Sequence, residues 1–140
     1  LHNYASSYEA LMKEYGKKET DNHQDFYNRE TIAHPNGREY TIPGYDNNTK
    51  PVLLSEFGGI AFEKDKAIGW GYGKAAKGEE EFLSRLKGLV DAIHDSSFFI
   101  GYCLTQLSDV QQEVNGLLTE EREYKADKEK LKEIFCSHDC

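Results

Sequence analysis

Residues 51–59 read PVLLSEFGG, an apolar run that ends in a carboxylate and is followed at once by an aromatic and two glycines. Parallel strands that are covered on both faces carry near-continuous apolar runs of this kind. In an α/β barrel, the carboxyl end of such a strand is where chemistry is placed. The paired glycines free the backbone to turn sharply or to approach a ligand closely. Glu56 is therefore the residue whose chemistry must be explained.

Working outward, residues 51–56 form the first predicted strand and 79–93 the strongest predicted helix. The acidic start of that helix, Glu79 to Glu81, complements the helix dipole. Phe82, Leu83, Leu86, Leu89, Val90 and Ile93 fall on one of its faces. Residues 98–104 read as a second buried strand, with Cys103 as a small buried hydrophobe. Two strands joined through a helix of this length imply a parallel βαβ unit with a right-handed crossover. A shorter helix is predicted over 6–15, capped by Ser6 or Ser7 and followed by Gly16 in a left-handed conformation. A terminal helix is predicted over 127–135, capped by Asp127, with Leu131, Ile134 and Phe135 as its apolar stripe.

The remaining segments read as loops. Residues 17–50 are polar, with His23, His34 and a possible tight hairpin at Asn36-Gly37. Residues 57–78 are rich in glycine and carry Trp70, and a further loop holds Gln106, Asp109 and Asn115-Gly116. Two strands make too little sheet for a self-sufficient domain. The pattern is a piece of an α/β fold, and a chain opening on Leu-His-Asn-Tyr reads as part of something longer.

Composition narrows the function. A chain of 140 residues has room for one domain of ordinary size, and 38% hydrophobic residues fit a globular chain. A net charge of -8 argues against a nucleic-acid surface and against anionic membranes. No apolar run approaches the roughly 20 residues needed to span a bilayer. Three cysteines leave one unpaired in a monomer. Cys136, His138 and Cys140 cluster at the C-terminus, but a structural zinc site ordinarily takes four ligands and a chain end is usually frayed. No metal and no cofactor is expected.

The run LSEFGGIAF (54–62), the loop GWGYG (69–73), the later run GYCLTQLSDVQQEVNGLLT (101–119) and the opening LHNY together resemble the catalytic barrel of glycoside hydrolase family 2. That family includes β-galactosidases, β-glucuronidases and β-mannosidases. The resemblance implies that residues 1–140 are the C-terminal portion of a TIM (β/α)8 barrel, from the end of strand six through strand eight and the closing helix. It implies that Glu56 is the nucleophile of a retaining glycosidase acting on a terminal β-linked sugar. Such enzymes use two carboxyl groups about 5–5.5 Å apart. A nucleophilic carboxylate has to stay ionised, which hydrogen-bond donors favour, and His2 and Tyr4 are donor candidates by position. The family's acid/base glutamate follows an asparagine, and no Asn-Glu dipeptide occurs here. A full barrel takes about 250 residues. The chain on its own is therefore expected to be inactive and to self-associate through open strand edges.

Each candidate also has a plainer reading. Glu56 can be a structural carboxylate; His2 and Tyr4 can contact sugar at the barrel mouth, or His2 can simply be satisfied within the fold. Trp70 can stack on a sugar or simply anchor its loop. Gln106 and Asp109 can bind sugar hydroxyls or only fix the loop after the second strand. His94 is expected at the helix C-terminus rather than at a ligand. The competing function is a carbohydrate-binding or interaction module without chemistry, which needs an aromatic platform but not Glu56.

Overall fold

The computed structural model describes residues 1–16, 42, 44–45, 50–62 and 69–137. The predicted hairpin at Asn36-Gly37, His23, His34, His138 and Cys140 lie outside the described residues. In chain order the elements are α1 (Tyr8–Tyr15), β1 (Val52–Gly58), α2 (Glu79–Asp95), β2 (Phe99–Thr105) and α3 (Lys128–Cys136). β1 and β2 are parallel, pairing Val52 with Phe99, Leu54 with Tyr102 and Gly58 with Thr105, and α2 is the crossover between them. The chain is a mixed α/β structure with a parallel βαβ unit, as its periodicities require.

Residues at the start of the chain extend the pairing. The Asn3 N–H donates to the Glu56 carbonyl at 2.9 Å and the Ser55 N–H to the Leu1 carbonyl at 2.8 Å, so that His2 sits in a parallel bridge with Glu56.

The core forms where the apolar stripe of α2 meets the sheet. Phe82, Leu86, Leu89 and Val90 are buried in one cluster with Val52, Leu54 and Phe57 of β1. Burying a side chain of this size contributes about 1.5–3 kcal/mol. α1 adds Leu11 and Tyr15, and α3 adds Leu131 and Ile134. Ser7 caps α1 by accepting from the Ala10 N–H, and Asp127 caps α3 by accepting from the Glu129 and Lys130 N–H groups.

Three expectations are corrected. Gly16 is extended, at φ -70° and ψ 136°, rather than left-handed. Glycine is required there because a Cβ would sit 2.4 Å from the Met12 carbonyl oxygen. β2 is not a fully buried strand, since Ile100 is 71% exposed. Cys103 on the same strand is exposed as well, not a buried hydrophobe. An uninterrupted apolar run registers the capacity to be covered, and coverage depends on what packs there.

Candidate active site

Glu56 stands near the carboxyl end of β1, and two side chains from the first residues of the chain converge on one of its oxygens. The Tyr4 hydroxyl donates to Oε2 at 2.8 Å, and His2 Nδ1 lies 3.1 Å from the same atom. Local geometry explains the convergence. In an extended segment, residues two apart share a face, so His2 and Tyr4 point one way and Asn3 the other. Asn3 is buried and donates to Glu14 Oε2 at 2.7 Å and to the Tyr15 hydroxyl at 3.2 Å, while its own Oδ1 accepts from the Ala5 N–H. That buried amide clamps the segment onto α1 and so presents both neighbours to Glu56.

The glycines that follow Glu56 are required by the site. Gly58 has φ +98° and Gly59 φ +62°, both in the region that favours glycine. A Cβ on Gly59 would lie 2.5 Å from Tyr72 Cδ2 and 2.8 Å from Tyr4 Cδ1. The bare backbone thus lets two aromatic rings close over it. Tyr4 and Tyr72 stack with centroids 3.6 Å apart and planes 8° from parallel, and Trp70 meets Tyr72 edge-on at 6.0 Å. Trp70 keeps half its surface exposed, on the far side of Tyr72 from Tyr4 in the sequence of ring contacts. Its backbone is pinned by Trp70 N–H to the Gln112 carbonyl at 2.7 Å and by Val114 N–H to the Trp70 carbonyl at 2.9 Å.

Burial, and then the hydrogen bond to Glu56, push the Tyr4 phenol well above its ordinary range. Tyr4 is therefore a protonated donor at neutral pH. Both contacts fall on Glu56 Oε2, which leaves Oε1 outside them.

The strand after α2 delivers Gln106 just past the end of β2. Its side-chain Nε2 is buried with no hydrogen-bond partner among the described residues, as is Asn115 Oδ1. Asp109 is ion-paired within its own loop. Its carboxylate accepts from buried Lys125 Nζ at 2.8 and 2.9 Å and from the Gly116 N–H at 2.8 Å. Lys125 also reaches the Val114 carbonyl at 2.9 Å, closing the loop after β2 on itself. His94 lies within α2 and meets the Tyr102 ring edge-on.

The structure therefore gathers Glu56, His2, Tyr4 and, through Tyr72, Trp70, and it commits Asp109 to the loop. Sequence reasoning missed Asn3, Tyr72 and Lys125. The spacing of Trp70 and Tyr72 within GWGYG was a signal that their rings share a side. Nothing in EREYKADKEK distinguishes Lys125 from the exposed lysines around it. No protein-family model matches this chain, and no curated protein matches it in sequence.

Proposed function

We propose that this chain is the nucleophile-bearing part of a retaining glycoside hydrolase barrel, running from the end of strand six through strand eight and the closing helix. The observation that carries the reading is the convergence on one oxygen of Glu56 of the Tyr4 hydroxyl, which donates at 2.8 Å, and of His2 Nδ1, 3.1 Å away. The Tyr4 hydroxyl on Oε2 orients the carboxylate, with Oε1 as the attacking atom. Also in support, the chain start, β1 and β2 run in parallel, so Tyr4, Glu56 and Gln106 come from the same ends of neighbouring segments. That is where a barrel places its chemistry.

In the proposed reaction, Oε1 forms a bond to the anomeric carbon as the glycosidic C–O bond breaks. The leaving oxygen takes a proton from a second carboxylic acid. Water then cleaves the glycosyl ester, losing its proton to that same group. The acid/base residue is expected from a part of the barrel outside these 140 residues, because the Asn-Glu pair of the resemblance does not occur in them. Trp70 and Tyr72 offer exposed aromatic surface to a sugar ring. No nucleic-acid or membrane partner enters this reading, and among the described residues no helix is long and apolar enough to cross a membrane.

The test uses a complete barrel that contains this sequence, treated with a 2-fluoro glycoside and digested for mass spectrometry. The expected adduct is on Glu56. An active enzyme that is labelled elsewhere, or not at all, overturns the assignment. The exposed aromatics also suit a module that only binds sugar; there Glu56→Gln would leave binding unchanged. Made on its own, the 140-residue chain is expected to be inactive and to associate, with exposed Ile100 and Leu107 on and after β2 as the adhesive surface. A monomer by light scattering would refute the association.

A further inference from the structure

We infer that Tyr72 is a positioning residue: its ring covers one face of Tyr4 and holds the Tyr4 hydroxyl on Glu56 Oε2. The inference rests on reading Glu56 as the reacting carboxylate, and it adds a residue that acts through another rather than on substrate.

The argument starts from an arrangement that ring electrostatics alone do not favour. Aromatic pairs prefer offset or edge-on contacts with centroids about 4.5–7 Å apart. Tyr4 and Tyr72 are nearly face to face, at 3.6 Å and 8°. Something other than quadrupole attraction holds them, and the backbone supplies it from both sides. The Tyr72 N–H donates to the Gly59 carbonyl at 2.8 Å, and the Asn3 N–H donates to the Glu56 carbonyl at 2.9 Å. Both rings abut the Cα of Gly59, where no side chain fits. Behind Tyr72, Trp70 stands edge-on and is tied by its backbone to Gln112 and Val114 in the loop after β2. The loops that follow the two strands thus brace one ring against another.

The consequence falls on the phenol. Tyr4 faces the Glu56 carboxylate from β1, with His2 on the same oxygen, and the hydroxyls of Thr105 at the end of β2 and of Tyr72 lie within reach. A flat ring over Tyr4 removes water that would compete for its hydroxyl. The loss of hydration is the largest reason that the phenol holds its proton more tightly than usual, and the bond to Glu56 is the next. With Tyr72 in place, the proton stays on Tyr4 and points at Glu56.

The experiment follows the Tyr4 ring by NMR across an alkaline titration of a complete barrel that contains this sequence and carries carbon-13 at tyrosine Cζ, with Tyr4→Phe assigning the signal. Tyr4 should titrate above the ordinary phenol range. Tyr72→Phe, which keeps the ring, should leave it raised. Tyr72→Leu should return it towards the ordinary phenol range. Overturning results are an unmoved Tyr4 in Tyr72→Leu, or a Tyr72→Phe shift as large as the leucine one. If Tyr72→Leu does not fold, nitration of the unaltered chain decides. Tyr45 and Tyr124, 75% and 54% exposed, should react while Tyr4 is spared. Nitration of Tyr4 as fast as Tyr124 overturns the inference. None of these readouts needs turnover, so they fail separately from the 2-fluoro labelling of Glu56.

Discussion

Glu56 near the end of β1 and Asp109 in the loop after β2 are both acids delivered by a strand, and their surroundings differ in kind. Asp109 is 10% exposed and faces Lys125, which is 1% exposed; its oxygens are taken up by that ammonium and by a backbone N–H. The side chain of Glu56 keeps 39% of its surface exposed and meets a tyrosine hydroxyl and an imidazole instead. An acid paired with a buried cation is committed to the fold. One that accepts from a tyrosine hydroxyl on a single oxygen and keeps 39% of its surface exposed retains capacity for another partner.

The sharpest way to break this contrast is to neutralise each acid in turn. Asp109→Asn leaves the Lys125 charge buried without its counter-ion, and removing one partner of a buried pair costs about 3–5 kcal/mol. The urea midpoint should fall accordingly; an unchanged midpoint would mean that the pair holds nothing. Glu56→Gln sits at the other end of the scale, considered last.

Gly59→Ala comes next. It forces φ +62° on a residue with a Cβ and drives that Cβ into both tyrosine rings. A penalty above about 1 kcal/mol is expected from backbone strain alone, with loss of the raised Tyr4 titration. A stable Gly59→Ala with Tyr4 unmoved would show that the rings do not depend on that bare backbone.

Alkaline stability sharpens the comparison from the Glu56 side. The Tyr4 phenol is raised in the folded chain, so its contribution is fully present below the unfolded value of about 10 and is lost as pH rises through the folded one. Denaturant midpoints measured from neutral pH upward should decline above that point more steeply in the native chain than in Tyr4→Phe. The α3 cap behaves in the opposite direction. Asp127 is held below the ordinary carboxylate range, first by the Lys130 N–H, so its contribution is present above that range and is lost as pH falls through the lowered value. Asp127→Ala should lower the thermal midpoint slightly at neutral pH and not in strong acid.

The smallest effect on folding belongs to Glu56→Gln. The amide can still accept from Tyr4, and the exchange should change stability by about 1 kcal/mol or less. Near-neutral stability at Glu56 beside a large loss at Asp109 would support the division between a part-exposed acid and a committed one. Equal losses would break it.

Much of the fold was legible from local pattern. The stripe from Phe82 to Ile93 specified α2, the apolar run before Glu56 specified β1, and Ser7 and Asp127 acted as caps where hydroxyl and carboxylate chemistry puts them. Parallel pairing followed from a helix standing between two strands. Glu56 was also legible, because a carboxylate after an apolar run and before two glycines is a local signal.

What the chain order could not decide was which distant groups meet. Asn3 as the clamp, Tyr72 as the cover of Tyr4, and Lys125 as the partner of Asp109 all depend on contacts between segments far apart in sequence. Periodicity and capping are properties of neighbours along the chain, so the sequence by itself determined the helices, the strands and the position of the acid. Burial and pairing depend on packing in three dimensions, and the tertiary structure alone decided that β2 would be half exposed, that Gly16 would be extended, and that Asp109 would face a buried lysine and Glu56 a tyrosine and an imidazole.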